Sequence, residues 1–373
     1  MTRAGKSAIE AAMEGVKKRA KAPAATPAPE AAPVAADAIA GVVVDAPVPP
    51  PPAKPARATK DRPPRRAKEP AREAPPPLPP PPRPASSAMP AAPAAPQDEQ
   101  LVTQDGLKLH LRRWPAGADA RGTVQIVHGL GEHIGRYEHV ARALNTAGWH
   151  VAGHDQRGHG RSEGARGTVA HPLALLGDLA MVTDHLRTPG RRVLLGHSLG
   201  GLVAARFVAE GLQAHVARFA RDFDALVLSS PALALGLTRG QRVLLAVLGR
   251  LAPNLRISNG LRPQWICRDP AVVADYVNDP LVHDRVTPRL VRFMVDNAAF
   301  VQALAPRWRL PTLLLWAGDD ACVDPEGSKA FAAAAPSGVL FKRCYRRLYH
   351  EIFNEPEQAD VLADLMQWLN QRF

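Results

Sequence analysis

From residue 100 onward, short apolar stretches rich in β-branched residues alternate with segments of helical periodicity. The stretches with strand character are 107–114, 123–129, 149–155, 192–198, 225–230, 312–318 and 339–345. The segments with helical periodicity lie near 138–147 and 172–187, and begin at Leu199 and at Glu357. Strands that alternate with helices are typical of a parallel sheet covered on both faces. The pattern predicts an α/β fold with a mostly parallel central sheet flanked by helices.

The alternation is interrupted between two of these strands. The interruption covers about 75 residues, 232–306, and is rich in helix formers. An insertion at the carboxyl ends of parallel strands lies where ligands bind in such sheets. We therefore expect a helical cap over a site.

One segment of this insertion has an apolar stripe at helical spacing, flanked by arginines. The stripe consists of Val243, Leu244, Val247, Leu248 and Leu251, and the arginines are Arg239, Arg242 and Arg250. Such a stripe either packs against the core or contacts lipid as part of a lid. The sequence favours a helix packed against the core, and a lid that touches lipid remains the alternative.

Composition separates residues 1–96, here called the N-terminal tail, from the rest of the chain. The tail holds 24 of the 38 prolines and none of the aromatic residues. A segment of mainly Ala, Pro, Lys and Arg has too little bulky apolar surface to offset the entropy lost on ordering. We predict that the tail is disordered and that residues 97–373 form the α/β domain, with enough apolar residues for a large core and a cap.

The net charge of the chain and its distribution indicate which partners the protein could bind. The chain carries a formal charge of +12, and the tail, with 15 Lys/Arg against 8 Asp/Glu, contributes more than half of it. Basic segments are attracted to anionic lipid, nucleic acid or acidic proteins. Nucleic acid is not expected, because the tail has no aromatic ring for base stacking. Peripheral membrane contact through the tail or the cap is the favoured partner hypothesis.

The remaining compartment signals point to the cytoplasm. Three cysteines without CxxC spacing indicate neither a disulfide framework nor a zinc site. The sequence has no apolar run of the ~18 residues that span a membrane, and no apolar core follows the basic residues near Met1. We therefore predict a cytoplasmic protein.

The segment GHSLGG (196–201) follows a predicted strand and opens a predicted helix. This context is typical of a nucleophile elbow, with Ser198 at the sharp turn, although an ordinary strand-to-helix turn is the alternative. The chain reverses so tightly there that side chains two positions before and after the serine would collide, which explains Gly196 and Gly200. The helix N-terminus would stabilise negative charge developing at Ser198.

An acid and a histidine should follow such a serine in the chain. Asp320 and His350 each lie just past a predicted strand, so both can reach the same sheet edge as Ser198. His350 would accept the serine proton, and Asp320 would orient the imidazole and stabilise its cation. Asp319 and Asp324 remain alternatives for the acid.

A loop rich in glycine follows an early strand and could complete an oxyanion hole. The backbone amide of Leu130 in this loop and that of Leu199 after the serine are the expected donors. The loop spacing differs from the dinucleotide pattern GxGxxG, and GxxxxGK[ST] is absent from the sequence. The histidines also lack HExxH spacing, so neither a nucleotide cofactor nor a catalytic metal is expected.

Taken together, these motifs resemble those of the monoacylglycerol lipase and lysophospholipase branch of the α/β hydrolases, which is grouped with the serine aminopeptidases S33. The resemblance is carried by HGLGEHIGRYEHVARAL (128–144), DQRGHGRSEG (155–164), GHSLGG (196–201), ISNGL (257–261), DPLVH (279–283), AGDDACVDP (317–325) and YHEIFNEPE (349–357). The tail lies outside it.

The resemblance implies an α/β-hydrolase fold with a cap that shapes an acyl tunnel, and no cofactor. It implies Ser198 as nucleophile, Asp320 as acid and His350 as base, with the amides of Leu130 and Leu199 as the oxyanion hole. The expected function is hydrolysis of a single-chain lipid ester, monoacylglycerol or lysophospholipid, through an acyl-enzyme. A carboxylesterase, an acyltransferase and an aminopeptidase remain alternatives, as does a non-catalytic module that binds through the tail.

Overall fold

The computed structural model describes residues 94–373, in which ten strands form two sheets. The strands are β1 (Gln97–Val102), β2 (Lys108–Trp114), β3 (Gly122–Val127), β4 (His150–His154), β5 (Arg191–His197), β6 (Ala225–Ser229), β7 (Ile257–Ser258), β8 (Arg285–Val286), β9 (Thr312–Ala317) and β10 (Leu340–Tyr345). The larger sheet has the order β1-β2-β4-β3-β5-β6-β9-β10, and β7 pairs with β8. Pairing is antiparallel from β1 through β2 to β4 and parallel among the six strands from β4 to β10 in that order. The predicted, mostly parallel sheet is confirmed.

Helices cover both faces of this sheet. They are α1 (Glu138–Thr146), α2 (Ala174–His185), α3 (Ser198–Glu210), α4 (Arg239–Leu251), α5 (Pro270–Asn278), α6 (Pro288–Leu304), α7 (Pro325–Ala334) and α8 (Gln358–Arg372). Side chains of α2, α3, α6 and α7 share one buried cluster with the sheet, and those of α1 and α8 share a second. Because side chains alternate along a strand, Leu194 of β5 joins the first cluster while Val193 and Leu195 join the second.

The chain between β6 and β9 contains α4, β7, α5, β8 and α6. In α6, Leu290, Phe293 and Val301 are buried with the core, and the helix packs against α3. By contrast, α4 and α5 contain no buried residue. The predicted cap range of 232–306 thus holds a covering part, from α4 to β8, and a helix that completes the core.

Three strands, β1, β7 and β8, were not predicted from the sequence. The edge strand β1 has mostly polar residues and is largely exposed, so it lacks the apolar alternation that marks an interior strand. Its backbone pairs with β2, and ion pairs of Asp98 with Arg112 and of Glu99 with Arg113 add to this pairing. The ribbon of β7 and β8 has only two residues in each strand, too few for any periodicity.

The apolar stripe of α4 faces away from the core. Val243, Leu244, Val247 and Leu251 are 65, 55, 46 and 79% exposed. The interpretation that the sequence favoured, a helix packed with this stripe against the core, is therefore wrong. Amphipathic spacing identifies an apolar face without identifying what covers it.

Residues 94–373 contain no helix that is both long enough and apolar enough to cross a membrane. The N-terminal tail was predicted to be disordered, and its residues 1–93 lie outside the described part of the chain. The disorder of the tail therefore stays a prediction, and so do the domain limits.

Candidate active site

The turn between β5 and α3 presents Ser198 at the carboxyl edge of the sheet. Ser198 is the first residue of α3 and has a φ of 53°, in the left-handed region that non-glycine residues rarely adopt. A Cβ on Gly196 would lie 2.5 Å from the carbonyl oxygen of Gly200, and one on Gly200 would lie 2.1 Å from that of Val127. Neither position has room for a side chain, as the sequence motif predicted.

The structure brings the three predicted side chains together. His350 Nε2 lies 2.8 Å from Ser198 Oγ, and His350 Nδ1 lies 2.7 Å from Asp320 Oδ2. The chain positions that meet here are 152 and 30 residues apart. The three side chains lie at the same edge of the sheet, because each residue follows the carboxyl end of one of the parallel strands β5, β9 and β10. Ser198 and His350 are 8 and 5% exposed.

Asp320 is the candidate acid that reaches the histidine. Its second oxygen, Oδ1, accepts the backbone N–H groups of Cys322 at 2.8 Å and Val323 at 3.0 Å, which orient the carboxylate. Asp324 instead caps α7, where its Oδ1 accepts the N–H of Glu326. Asp319 is exposed. The geometry thus separates three acidic residues that the sequence left as alternatives.

Electrostatic interactions shift the pKa values of His350 and Asp320 in opposite directions. Burial alone would lower the pKa of His350, but the charge and hydrogen bond of Asp320 outweigh burial and raise the pKa above the ordinary 6.5. Burial alone would raise the pKa of Asp320, but His350 and two backbone N–H donors lower it. An ionised carboxylate therefore faces an imidazole whose protonated form it stabilises.

The two residues predicted to supply oxyanion donors, Leu130 and Leu199, lie in the loop after β3 and in the first turn of α3. Leu130 and Gly129 line the same cavity as Ser198. Leu199 is fully buried in the first turn of α3, where backbone N–H groups have no partner within the helix. Glu132 Oε1 accepts the N–H of Gly129 at 2.5 Å and so holds the loop that carries Leu130.

A cavity of about 440 Å³ opens onto Ser198. Its walls come from the loop after β3, the covering part of the cap, α6 and the loops after β9 and β10. The apolar walls are formed by Leu235, Leu237, Leu261, Trp265, Ile266, Val286, Val291, Met294 and Val323. The polar walls are formed by Glu132, His197, Tyr276 and Glu351. A ligand with an apolar chain and a polar end fits such a lining.

One group of donors invites comparison with a metal site. Donor atoms of Asp320, Cys322 and His350 all lie within 4.8 Å of one another. Both ring nitrogens of His350 are already hydrogen-bonded, to Asp320 and Ser198. Burial also raises the pKa of the Cys322 thiol, which disfavours the thiolate that a metal needs. These donors fit a hydrogen-bonded triad better than a metal centre.

A buried charge network that no sequence motif predicted lies beside the triad. Arg136 donates to Glu132 and, through two nitrogens, to Glu351. All three lie inside stretches that carry the family resemblance, yet only the fold shows that they meet. A signal was present in the sequence, because charged residues within otherwise apolar or glycine-rich loops are rarely left unpaired.

Comparisons with known proteins identify the family of this chain. Residues 118–357 match the family described as "Serine aminopeptidase, S33". The chain is 34% identical over 272 residues to the monoacylglycerol lipase of Mycolicibacterium smegmatis, a match that covers 71% of this chain and 93% of that one. It is 32% identical over 275 residues to an uncharacterized abhydrolase domain-containing protein of Dictyostelium discoideum, with 73% of this chain covered. That match spans 29% of the length of the Dictyostelium protein.

A solved structure has the same fold. The crystal structure of Paleococcus ferrophilus monoacylglycerol lipase superposes with a TM-score of 0.63 at 34% sequence identity, covering 70% of this chain and 99% of that one. The family match includes β3 through the loop after β10, and hence Ser198, Asp320 and His350. The chain belongs to the serine aminopeptidase S33 family of α/β hydrolases, in which monoacylglycerol lipases are among its relatives.

Proposed function

We propose that this protein is a serine hydrolase that cleaves carboxylic esters of single-chain lipids, monoacylglycerol or lysophospholipid, through an acyl-enzyme. The observation that carries the proposal is the hydrogen-bonded chain Ser198–His350–Asp320 at the wall of a cavity with an apolar and a polar side. The relatives named as monoacylglycerol lipases support the substrate class. The family name also includes aminopeptidases, so the choice of ester over peptide needs its own test.

In the proposed reaction, His350 Nε2 takes the proton of Ser198 as Oγ attacks the ester carbonyl. The amides of Leu130 and Leu199 stabilise the oxyanion, and Asp320 stabilises the imidazolium. His350 then gives its proton to the departing alcohol. Water, activated by the same imidazole, attacks the acyl-enzyme and releases the fatty acid.

The cavity lining supports an ester with one acyl chain. Its apolar walls, from α6 and the covering part of the cap, suit the chain. The polar side chains of Tyr276, Gln241 and Asn259 suit the hydroxyl groups or headgroup of the alcohol. The reacting carbonyl would then lie between the two sides, beside Ser198.

A substrate panel tests this function. Monoacylglycerol and lysophosphatidylcholine should each yield free fatty acid, and an aminoacyl anilide should yield at most a trace of amine. A carboxylesterase would cleave short soluble esters and leave both lipids intact. An acyltransferase would pass the acyl group to an added alcohol in preference to water. Turnover of the anilide above that of both lipids would replace the proposal with an aminopeptidase, and a protein without turnover would favour the binding module.

A second proposal concerns the membrane. We infer that α4 contacts an anionic lipid surface, because its apolar stripe is exposed while Arg239, Arg242 and Arg250 flank it. Leu237 and Gln241, at the start of the same helix, line the cavity. Apolar side chains would enter the interface, and each arginine near an anionic surface adds about 1 kcal/mol. A lipid substrate could then pass from the surface into the cavity beside α4.

Vesicle binding tests this contact. The double variant Leu244→Ser and Val247→Ser should bind vesicles of phosphatidylcholine and phosphatidylglycerol at least ~10-fold more weakly than the wild type, because two apolar anchors are lost. Sedimentation at about 0.5 M salt keeps attraction of the basic tail screened. Val216→Ser, which changes a valine that is 54% exposed outside the cap, should bind as the wild type does. Equal sedimentation of the double variant and the wild type would contradict the proposal.

A further inference from the structure

One buried arginine joins the two loops on either side of the candidate triad. Arg136 Nη1 donates to Glu132 Oε2 at 3.0 Å and to Glu351 Oε1 at 2.5 Å, and Nη2 donates to Glu351 Oε2 at 2.7 Å. The side chains of Arg136, Glu132 and Glu351 are 11, 5 and 6% exposed. Water therefore screens these charges little, and each carboxylate depends on the same guanidinium.

On one side, the network holds the loop that carries Leu130. Besides Arg136, Glu132 accepts the N–H of Gly129 at 2.5 Å and the hydroxyl of Tyr137 at 2.8 Å, both through Oε1. Gly129 lies against the nucleophile, since a Cβ built on it would be 3.1 Å from Ser198 Cβ. The backbone next to the Leu130 amide is thus bound to Arg136 through a single carboxylate.

On the other side, the network holds the residues just after His350. Glu351 Oε2 also accepts Asn354 Nδ2 at 2.8 Å, and the Glu351 backbone N–H donates to the carbonyl of Ile266 in the cap at 2.8 Å. The Arg136 guanidinium lies 4.9 Å from the ring centre of Tyr276, which belongs to α5. The same charges therefore contact the base loop and the cap.

We propose that Arg136 is a positioning residue that, through Glu132 and Glu351, fixes the loop of the oxyanion donor Leu130 and the loop of the base His350 at one mutual geometry. The inference rests on the proposed function. A buried charge network is weak support for stability, because removing charges from water is costly, but its directional bonds do specify geometry. Bidentate bonds to Glu351 and a further bond to Glu132 are what a guanidinium can supply and an ammonium cannot.

The network also contributes charge near the base. The groups that face His350 are Asp320 and Cys322 after β9, His197 at the end of β5, Glu132 after β3, and Glu351 on its own loop. Glu132 and Glu351 both raise the pKa of His350, in addition to the larger effect of Asp320. Loss of one carboxylate charge should lower that pKa, so His350 would remain an unprotonated base down to a lower pH.

The test compares Glu351→Gln with the wild type in the full chain. We expect kcat for monoacylglycerol hydrolysis to fall ~10- to 100-fold with KM within about twofold, because misplacement of reacting groups acts on the chemical step. The acid limb of kcat/KM should move to lower pH. If Glu351 only stabilised the fold, the variant would contain less active enzyme, and the acid limb of kcat/KM would stay at the wild-type pH. Arg136→Lys keeps the positive charge without the bidentate bonds, so its kcat should fall similarly. This second variant tests the inference if Glu351→Gln does not fold.

Glu355→Gln is the matched control. Glu355 is fully buried on the same loop and binds a cap arginine, Arg268, but does not line the cavity. This variant should keep the wild-type kcat and acid limb even if its melting temperature falls. The inference would be overturned, with the proposed function left intact, if Glu351→Gln had the wild-type kcat and an unmoved acid limb of kcat/KM. A wild-type kcat in the folded Arg136→Lys variant would overturn it equally. A wild type that neither turns over lipid esters nor reacts with a fluorophosphonate would remove the proposed function and, with it, the inference.

Discussion

Replacing Ser198 with alanine is expected to lower kcat for monoacylglycerol hydrolysis by roughly 10⁴- to 10⁶-fold, the loss that removal of a serine nucleophile causes in other serine hydrolases. The alanine variant retains the oxyanion donors and the cavity, so a small residual rate above that of water is compatible with the proposal. The measurement is kcat on purified protein, with the melting temperature as a check of folding.

A buried serine elsewhere provides the matched control. Ser328 on α7 is 2% exposed and does not line the cavity. Ser328→Ala should therefore change kcat by less than about twofold, since it removes no group near the reacting bonds. Unchanged turnover in Ser198→Ala would mean that hydrolysis occurs elsewhere in the molecule or in a contaminant.

Replacing Asp320 with asparagine is expected to cost about 10⁴ in kcat, the loss seen when the triad acid of a serine protease is made an amide. The asparagine can donate to His350 Nδ1 and so favours the wrong tautomer, in which Nε2 carries the proton and cannot accept that of Ser198. Loss of the carboxylate also removes the main cause of the raised pKa of His350. The measurement is kcat near neutral pH, with fluorophosphonate labelling of the same sample.

The two neighbouring acids serve as controls for this assignment. Asp319→Asn changes an exposed side chain and should leave kcat near the wild-type value. Asp324→Asn alters the N-cap of α7 but keeps a good capping residue, so stability should change by less than about 1 kcal/mol. If Asp324→Asn were as inactive as Asp320→Asn, the acid would be misassigned.

The sheet and the elbow could be predicted because their signals are local. Strands such as β6 (ALVLS) and β9 (TLLLWA) are buried along their whole length and read as nearly continuous apolar runs of the length of one strand. A Cβ added at either glycine beside Ser198 would lie 2.5 Å or less from a backbone oxygen, so only glycine fits there. Chain order then pointed to His350 and to a group of three acids, and the hydrogen bond to His350 singled out Asp320.

The features missed from the sequence depend on what lies across space. The edge strand β1 pairs with β2 through its backbone and through ion pairs, and it has no apolar alternation that a sequence pattern could show. The stripe on α4 has the spacing of a core helix, yet most of its side chains are exposed, and it is α6 that packs against α3 in the core. The ion pair of Arg136 with Glu351, which links Glu351 to Glu132, joins positions 215 residues apart, and no local pattern encodes it.

The most direct measurement is the site of covalent modification by a fluorophosphonate. Digestion with trypsin releases the peptide 193–206, in which Ser198 is the only hydroxyl-bearing residue. The proposal predicts one adduct per chain, located on this peptide, and no adduct in Ser198→Ala. An unlabelled wild type, or an adduct on a different peptide, would contradict the assignment of Ser198 as the nucleophile.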